Sequence, residues 1–526
     1  MPRTKVAAAC FVLFSAAVSY GQEPPPFNYL KVGVDGEGFI TLAEGEGPYE
    51  RFFPLGTFFY PAIPMGYDST TLQADYAAFG NMGGNLVVAP WDPERWPNRP
   101  GAIFQSEGYC AAHLIAADAA GVKILADPAL FWSQYGTWND DGNIVWPDQR
   151  VQLFNQMVQW VEYSYHAEAF MGYYHWDRPA WRYYDSRNRL PEPRPTPTYI
   201  NFASDQLETL EEQRGAAHNI FMAQGDPVKV RDLWKDYHSA ADIVGAVVLP
   251  YPEPEMLRLA NEQCAPLLGC LLPNYYSSVT GSVADAVHEA ARSEWIIVPP
   301  EGGPRCKPYI AVLQGKDQGE EYLTRNQMFF QAYDAIIHGA KGLVWYDDVD
   351  YHTPSEYDFF YRDTNIPAYL RDLINELSGY EINGAIKGDY DYTVAAVTTW
   401  PLPEPSEVVE ESTFVCGKLV PKTHFLSDRI IMEGVAKKFY EWTYLIVACR
   451  PHEGAAEEYK VRFRPFFSAH NYWDHWGKGA RYSTVYKVGE GAMEIPQHDG
   501  SGYWEDFFYP GEVAIYKFQT PAPWHP

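Results

Sequence analysis

Residues 324–346, TRNQMFFQAYDAIIHGAKGLVWY, decide the fold class of this chain. The segment from Thr324 to His338 is predicted to be a helix, and Gly342 to Tyr346 is a short apolar run with strand character. A further helix is predicted over roughly residues 368–377. Strands that alternate with helices indicate a parallel sheet.

The same alternation fills the preceding sequence, with seven more apolar runs separated by loops and helices. Eight strand–helix units in roughly 350 residues predict a closed (β/α)8 barrel with long loops. The rival is an open doubly wound sheet, which normally carries a Gly-rich loop after its first strand; here the Gly-rich residues 80–84 precede a strand instead. The earlier strands are predicted at 52–60, 85–90, 122–126, 170–176, 219–223, 241–249 and 308–313, and the earlier helices at 70–80, 107–120, 148–165 and 202–214.

The alternation ends near Asp389, which divides the chain into two predicted domains. Residues 27–388 form the barrel, and a small β-hairpin at Lys31 to Ile40 caps it. Residues 389–526 contain β-branched or alternating segments between glycines and acidic turns, which predicts a C-terminal antiparallel β-sandwich. Its strands are expected near 393–398, 429–434, 443–449, 459–464, 484–488 and 513–518.

The first residues have the pattern of a signal peptide. Arg3 and Lys5 precede an apolar run from Val6 to Val18, and residues 1–21 are expected to be removed after Gly21. The run is too short to span a membrane. We therefore expect a secreted or periplasmic protein, without membrane insertion.

The charge balance excludes one class of partner. The chain has 40 Lys+Arg against 68 Asp+Glu, a net charge of −28, and loss of two cations with the leader leaves −30. Such a charge repels phosphate backbones, so nucleic acid is not expected as a partner.

Cysteine and histidine spacing gives no sign of a metal or cofactor site. The sequence lacks a CxxC pair, a His-x-x-x-His helix motif and a Walker loop, so neither a metal nor a cofactor is expected. Residues 138–143 resemble a calcium loop but lack its terminal glutamate, which favours an ordinary turn. Cys264 with Cys270, and Cys416 with Cys449, are plausible disulfide pairs in an exported protein, but fifteen connectivities remain open for six cysteines.

Candidate site residues lie where the predicted barrel strands end, because reactive groups of (β/α)8 enzymes occupy the C-terminal strand ends. Nearly every strand ends in carboxylates, aromatic rings or amides. Rings stack on the apolar faces of sugars, and the polar groups bind hydroxyls. Carboxylates also supply the pair that glycoside hydrolysis needs. The candidate catalytic residues are Asp177, Asp347 and Glu253, and the candidate substrate-binding residues are Tyr60, Trp91, Asp92, His175, Trp176, Arg178, Tyr251, Gln314 and Trp345.

Three stretches carry a resemblance to a known clan. They are Val34 to Gly56, Ala241 to Pro252, and Tyr333 to Tyr346. They resemble, respectively, the entry hairpin with first strand, the sixth strand, and the seventh helix with eighth strand of the TIM-barrel glycoside hydrolases that include cellulases and β-galactosidases. This resemblance implies a (β/α)8 barrel, a C-terminal β-domain and hydrolysis of a poly- or oligosaccharide.

The sequence departs from the clan at two positions. Arg178 stands where the resemblance implies an acid/base glutamate after strand four, and Gln314 stands where it implies a nucleophilic glutamate. Either neighbouring acids carry the chemistry, with Asp177 as the leading candidate, or Asp177 is paired with an arginine and the protein binds carbohydrate without cleaving it. A polysaccharide lyase with a Tyr or His base beside an arginine is a third hypothesis.

Overall fold

A computed structural model of the chain describes residues 30–45, 47–58, 69–90, 108–127, 137–138, 144–145, 167–177, 219–225, 241–248, 307–315, 324–346, 366–391, 393–400, 411–415, 418–426, 430–451, 458–467, 485–489, 491–493, 504–509 and 511–519.

Eight parallel strands close into a barrel, which confirms the TIM-barrel-like architecture predicted from the alternating pattern. Each strand pairs with the next along the chain, and the last pairs with the first through the register of Leu343 with Leu55. All eight apolar runs of the sequence supply one strand each. The barrel strands are β4 (Leu55–Phe58), β5 (Leu86–Pro90), β6 (Lys123–Asp127), β9 (Phe170–Asp177), β10 (Asn219–Gly225), β11 (Ile243–Val248), β12 (Tyr309–Gln314) and β13 (Gly342–Tyr346).

Where their side chains are described, the barrel strands are mostly apolar on both faces, and the two faces are buried in different clusters. On β5, Leu86 and Val88 belong to the inner cluster, which fills the barrel. Val87 and Ala89, one residue out of phase, belong to the outer cluster between strands and helices. The two clusters are defined by this alternation, with Phe58, Leu125, Ile310, Val312 and Val344 in the inner one, and Leu55, Ile124, Ala311, Leu313 and Leu343 in the outer one.

The N-terminal hairpin predicted at Lys31 to Ile40 is present and has a third strand. Strands β1 (Leu30–Val34), β2 (Ile40–Glu44) and β3 (Glu50–Phe52) form one antiparallel sheet. Leu30 and Ile40 are buried in the inner cluster. This sheet therefore packs against the barrel core itself.

Five described helices accompany the strands, and the third is buried along most of its length. In α3 (Arg325–Ile337), every residue from Met328 to Ile337 is buried. Thr324 caps the helix in a reciprocal capping box with Gln327. A helix buried on all sides needs packing partners on opposite faces, and α3 contacts the barrel strands as well as the C-terminal strands. The other helices are α1 (Ser69–Asn81), α2 (Gly108–Ala120), α4 (Ile366–Ser378) and α5 (Tyr380–Ile386).

The C-terminal residues form two antiparallel sheets. Residues of both sheets, among them Val447, Phe463, Trp504 and Tyr516, share a third hydrophobic cluster. Trp504 stacks on Phe463 with ring centroids 5.3 Å apart. The larger sheet contains β14 (Asp389–Tyr390), β16 (Glu411–Val415), β17 (Lys418–Leu426), β18 (Ile430–Phe439), β19 (Trp442–Pro451), β21 (Val485–Lys487), β22 (Gly491–Met493) and β24 (Val513–Gln519), and the smaller contains β15 (Thr393–Trp400), β20 (Tyr459–Phe467) and β23 (Trp504–Phe508).

The suggested pairing of Cys416 with Cys449 is wrong, because Cys449 is a free thiol. It is fully buried on β19 opposite Met432. Burial raises the pKa of this thiol, so it behaves as a small apolar side chain.

Among the described residues, no helix is long and apolar enough to cross a membrane.

Candidate active site

The C-terminal ends of the barrel strands meet at one end of the barrel, because all eight strands are parallel. Asp127 ends β6, Asp177 ends β9, Gln314 ends β12 and Tyr346 ends β13. Backbone pairing fixes them in register, with Gln314 beside Tyr346. The candidate site therefore contains a carboxylate residue on each of two adjacent strands and an amide residue on a third.

Asp177 is the last residue of the fourth barrel strand. Its backbone pairs with Ala223 of β10, after a register shift that marks a bulge in this pair of strands. Bulges next to active sites re-aim a side chain. His175 and Trp176 precede Asp177 in the same strand.

Asp127 is the carboxylate of the neighbouring strand, and it is 4 % exposed. Its backbone pairs with Pro90 of β5. Leu125, two residues earlier, belongs to the inner cluster, so Asp127 lies on the barrel-facing side of β6. A buried acid at this end of the barrel fits a polar site above the apolar inner cluster.

Gln314 has the strand phase of Ile310 and Val312, which puts it on the barrel-facing side of β12. It is fully buried, and its backbone is held by another buried amide on α3. Gln331 Nε2 donates to the Gln314 carbonyl at 2.8 Å, and the Gln314 N–H donates to Gln331 Oε1 at 3.3 Å. Helix α3 thus anchors the end of the seventh barrel strand.

Trp345, which the sequence predicts to stack on sugar at the barrel rim, lies in the core instead. Its side chain is fully buried and belongs to the outer cluster with Leu343. The Thr57 hydroxyl lies 3.4 Å from the Trp345 carbonyl. A ring packed between strands and helices presents no open face to a ligand.

The remaining predicted site residues lie outside the described residues. The side chains of His175, Trp176 and Asp177 also lie outside them, although their backbone belongs to β9. Strands β7 (Thr137–Trp138) and β8 (Ile144–Val145) form an antiparallel hairpin around the segment that resembles a calcium loop. The predicted site residues outside the described part are Tyr60, Trp91, Asp92, Arg178, Tyr251, Glu253 and Asp347.

Sequence reasoning missed a row of buried polar groups on α3 and at its C-terminal cap. Gln331, Asp334 and His338 are at most 4 % exposed. Their i, i+3, i+7 spacing puts them on one stripe of the helix. The signal was present in the sequence, because polar residues at that spacing interrupt an otherwise apolar segment.

Another buried polar pair joins α1 to α2. The Tyr76 hydroxyl lies 2.7 Å from His113 Nδ1, and both residues are buried. Burial lowers the pKa of His113 to about 3, so its imidazole is neutral at physiological pH. The pair is part of the helical layer that supports the barrel.

Two buried lysines join the barrel to the C-terminal strands. Lys341, next to β13, has its Nζ 4.8 Å from the ring centroid of Tyr390 on β14, and Lys437 on β18 has its Nζ 3.4 Å from the same centroid. Burial, followed by the charges of Lys341 and Arg51, lowers the pKa of Lys437 well below its ordinary value. Aromatic faces partly replace the water that these ammonium groups lose.

A closed barrel of eight parallel strands, with acids and an amide at the C-terminal strand ends, has the architecture of TIM-barrel enzymes. No protein-family model matches the sequence, and no curated protein matches it either. Solved structures do match, and glycoside hydrolases are among them.

A structure described as a glycoside hydrolase is similar to 93 % of this chain and 97 % of its own, with a TM-score of 0.51 and 9 % identity. A glycoside hydrolase family 5 protein from Bacteroides vulgatus is similar over 93 % of each chain, with a TM-score of 0.50 and 10 % identity. At such identities the likeness shows the fold, and the chemistry has to be argued from the site.

Proposed function

We propose that this protein is an exported glycoside hydrolase that cleaves a poly- or oligosaccharide, with Asp177 as its general acid. The observation that carries the proposal is the position of Asp177 at the C-terminal end of the fourth strand of a closed barrel. The fold that the chain shares with glycoside hydrolases supports it. The signal peptide that the sequence predicts at residues 1–21 supports export.

The proposed mechanism divides the work between two carboxyl groups. Asp177, protonated, donates to the glycosidic oxygen as the bond to the leaving sugar breaks. Asp347 or Glu253, ionised, attacks the anomeric carbon or activates a water molecule. Asp127 is buried near the end of the neighbouring strand, and we propose that it orients polar groups of the site.

The remaining predicted site residues would bind the sugar. Aromatic rings pack against apolar sugar faces, and polar side chains bind hydroxyls. Trp345 is left out of this set because its ring is buried in the outer cluster. The proposed set is Tyr60, Trp91, Asp92, His175, Trp176, Arg178, Tyr251 and Gln314.

The decisive experiment measures reducing-end release from a panel of polysaccharides. Once a substrate is found, Asp177→Asn should lower kcat by about 100- to 10,000-fold, the range for loss of a general acid. The matched control is Asp372→Asn, since Asp372 is an exposed acid on α4. Full activity of Asp177→Asn would show that Asp177 is not the acid.

Gln314 favours a second candidate, a carbohydrate-binding protein without hydrolytic activity. The structure puts an amide, which cannot act as a nucleophilic carboxylate, at the end of the seventh strand. This candidate predicts glycan binding on an array with no product by mass spectrometry. Unsaturated products that absorb in the near ultraviolet would instead indicate a lyase.

A further inference from the structure

Three buried side chains meet where α3 packs on the C-terminal sheet. His338 Nε2 lies 3.6 Å from Asp334 Oδ1 and 3.5 Å from Glu433 Oε2. One candidate ligand atom from each of the three residues lies within 4.8 Å of the others. His338 is 4 % exposed, Asp334 is 0 % and Glu433 is 5 %. We call the group of Asp334, His338 and Glu433 the interface triad.

The spacings in the interface triad suit ligands around a common ion better than direct hydrogen bonds. Contacts of 3.5–3.6 Å exceed the 2.7–3.2 Å typical of an N–H···O bond. Two ligand atoms that bind Zn²⁺ tetrahedrally at about 2.0–2.1 Å are separated by about 3.3–3.4 Å. The two separations from His338 are therefore close to those of ligands on a common ion, and the two carboxylate oxygens lie within 4.8 Å of each other.

The chemistry of the interface triad also fits a divalent cation. Metal ligation requires ionised carboxylates and a neutral imidazole, and in that state the interface triad carries a charge of −2, which a divalent cation cancels. Imidazole together with carboxylate oxygens is a ligand set used by zinc.

Two of the three groups are placed side by side by the helix, and the third comes from the sheet that packs on it. Asp334 and His338 are separated by four residues, so they project from the same side of the helix. Two ligands at i and i+4 on one helix face are a recurring arrangement in zinc sites. Glu433 comes from β18, nearly one hundred residues further along the chain. Only the packing of α3 against the sheet brings the third group into reach.

We propose that Asp334, His338 and Glu433 bind one divalent transition-metal ion, preferentially Zn²⁺, that clips helix α3 to the C-terminal sheet. This departs from the sequence-based expectation that the protein has no metal. The role is structural, and the remaining coordination position is filled by water or another nearby group. Gln331, seven residues before His338 on the same helix, anchors the end of β12. The metal ion therefore also stabilises the helix that supports the candidate active site.

The experiment uses purified full-length protein and Zn²⁺ as the probe. Protein treated with chelator and then dialysed is titrated with Zn²⁺, with bound metal measured by mass spectrometry and Tm by scanning fluorimetry. We expect one Zn²⁺ per chain and a rise in Tm on the order of 5 °C. Parallel titrations with Mn²⁺ and Ca²⁺ should give smaller rises.

Variants separate metal binding from general stability. His338→Gln and Glu433→Gln keep the size of the side chains and should reduce bound Zn²⁺ at least tenfold, with loss of the Zn²⁺-dependent rise in Tm. Asp506→Asn alters a buried acid on β23, in the smaller C-terminal sheet, and should retain both Zn²⁺ binding and the rise in Tm. If one triad variant does not fold, the other triad variant locates the metal.

Two results would overturn the proposal. The first is wild-type protein that binds no Zn²⁺ and shows no change in Tm, which would leave the interface triad as a metal-free contact between the imidazole and two carboxylates. The second is equal Zn²⁺ binding by wild type and both triad variants, which would place the metal elsewhere.

Discussion

The side-chain amide of Gln331 bonds to both backbone groups of Gln314, donating to the carbonyl and accepting from the N–H. The two residues lie on consecutive elements of one strand–helix unit, and both are fully buried. A strand end at the mouth of a barrel has no further strand residues to hold it. The amide of Gln331 supplies that support from the helical layer.

Replacing Gln331 with leucine should therefore destabilise the protein. The substitution leaves a buried N–H and a buried C=O without this partner, and each such loss costs about 1–3 kcal/mol. We expect the free energy of unfolding to fall by about 2 kcal/mol or more in urea titrations. Asn326→Ala, an exposed change on the same helix, should alter it by less than about 0.5 kcal/mol. Equal stability of both variants would mean that water replaces the amide.

The neutral imidazole of His113 should make the protein sensitive to acid. Its pKa is about 3 in the folded chain, against about 6.5 when unfolded. Between these values the unfolded chain binds the extra proton, so stability falls as pH falls below 6.5. This residue alone should cost roughly 2–3 kcal/mol between pH 6.5 and pH 4.5.

The control for His113 is a side chain that keeps a polar partner for Tyr76 but binds no proton. His113→Gln should show a shallower decline of Tm from pH 6.5 to pH 4.5 than the wild type. Both proteins should be measured in the same buffers, with Asp118→Asn, a change on the same helix, as the comparison. Superimposable pH profiles of wild type and His113→Gln would contradict this assignment.

Lys437 should have an effect of the same sign on the alkaline side, where stability rises with pH. Because burial lowers its pKa in the folded chain, the unfolded chain holds more protons up to the ordinary value near 10.5. The free-energy cost of burying the charged Lys437 therefore lowers the stability of the folded chain at neutral pH. This cost disappears as pH rises towards 10.5. Lys437→Met should raise Tm at pH 7 by about 2 °C or more, with a smaller gain at pH 10. The adjacent exposed Lys438→Met should change Tm little at either pH.

The barrel could be predicted from the sequence because its strands, where their side chains are described, are buried on both faces. Runs such as Ile243 to Val248 stay apolar over their whole length, and that feature locates a strand without any knowledge of its neighbours. The residues that end the strands follow directly. Asp177 and Gln314 accordingly lie where the sequence placed them.

Because both faces of such a strand are apolar, the sequence does not indicate which face points into the barrel. Trp345 and Val344 are both apolar, and only closure of the barrel assigns Val344 to the inner cluster and Trp345 to the outer one. Glu433 illustrates a second limit. Its approach to His338 depends on how α3 packs on the C-terminal sheet, which local sequence patterns do not encode.

The hairpin between β18 and β19 contains a strained residue. Phe439 pairs with Trp442, so Tyr440 and Glu441 form a two-residue turn. Tyr440 has φ of 53°, and it is the one described non-glycine residue with a positive φ. Glycine or asparagine is favoured at such a position, and a left-handed conformation costs other residues roughly 1–2 kcal/mol.

Tyr440→Asn should relieve this strain without adding the unfolded-state entropy of glycine. The tyrosine also packs on Phe439 and its hydroxyl lies 3.2 Å from that of Tyr380, but both tyrosines are mostly exposed, so these contacts are worth little. We therefore expect a gain of about 0.5–1 kcal/mol for Tyr440→Asn and a loss of about 1 kcal/mol for Tyr440→Val, whose β-branched side chain tolerates positive φ least. Tyr380→Phe removes the hydroxyl contact alone and should be close to neutral. If Tyr440→Asn and Tyr440→Val destabilise the hairpin equally, the aromatic contacts outweigh the backbone strain, and the turn is held by its side chains.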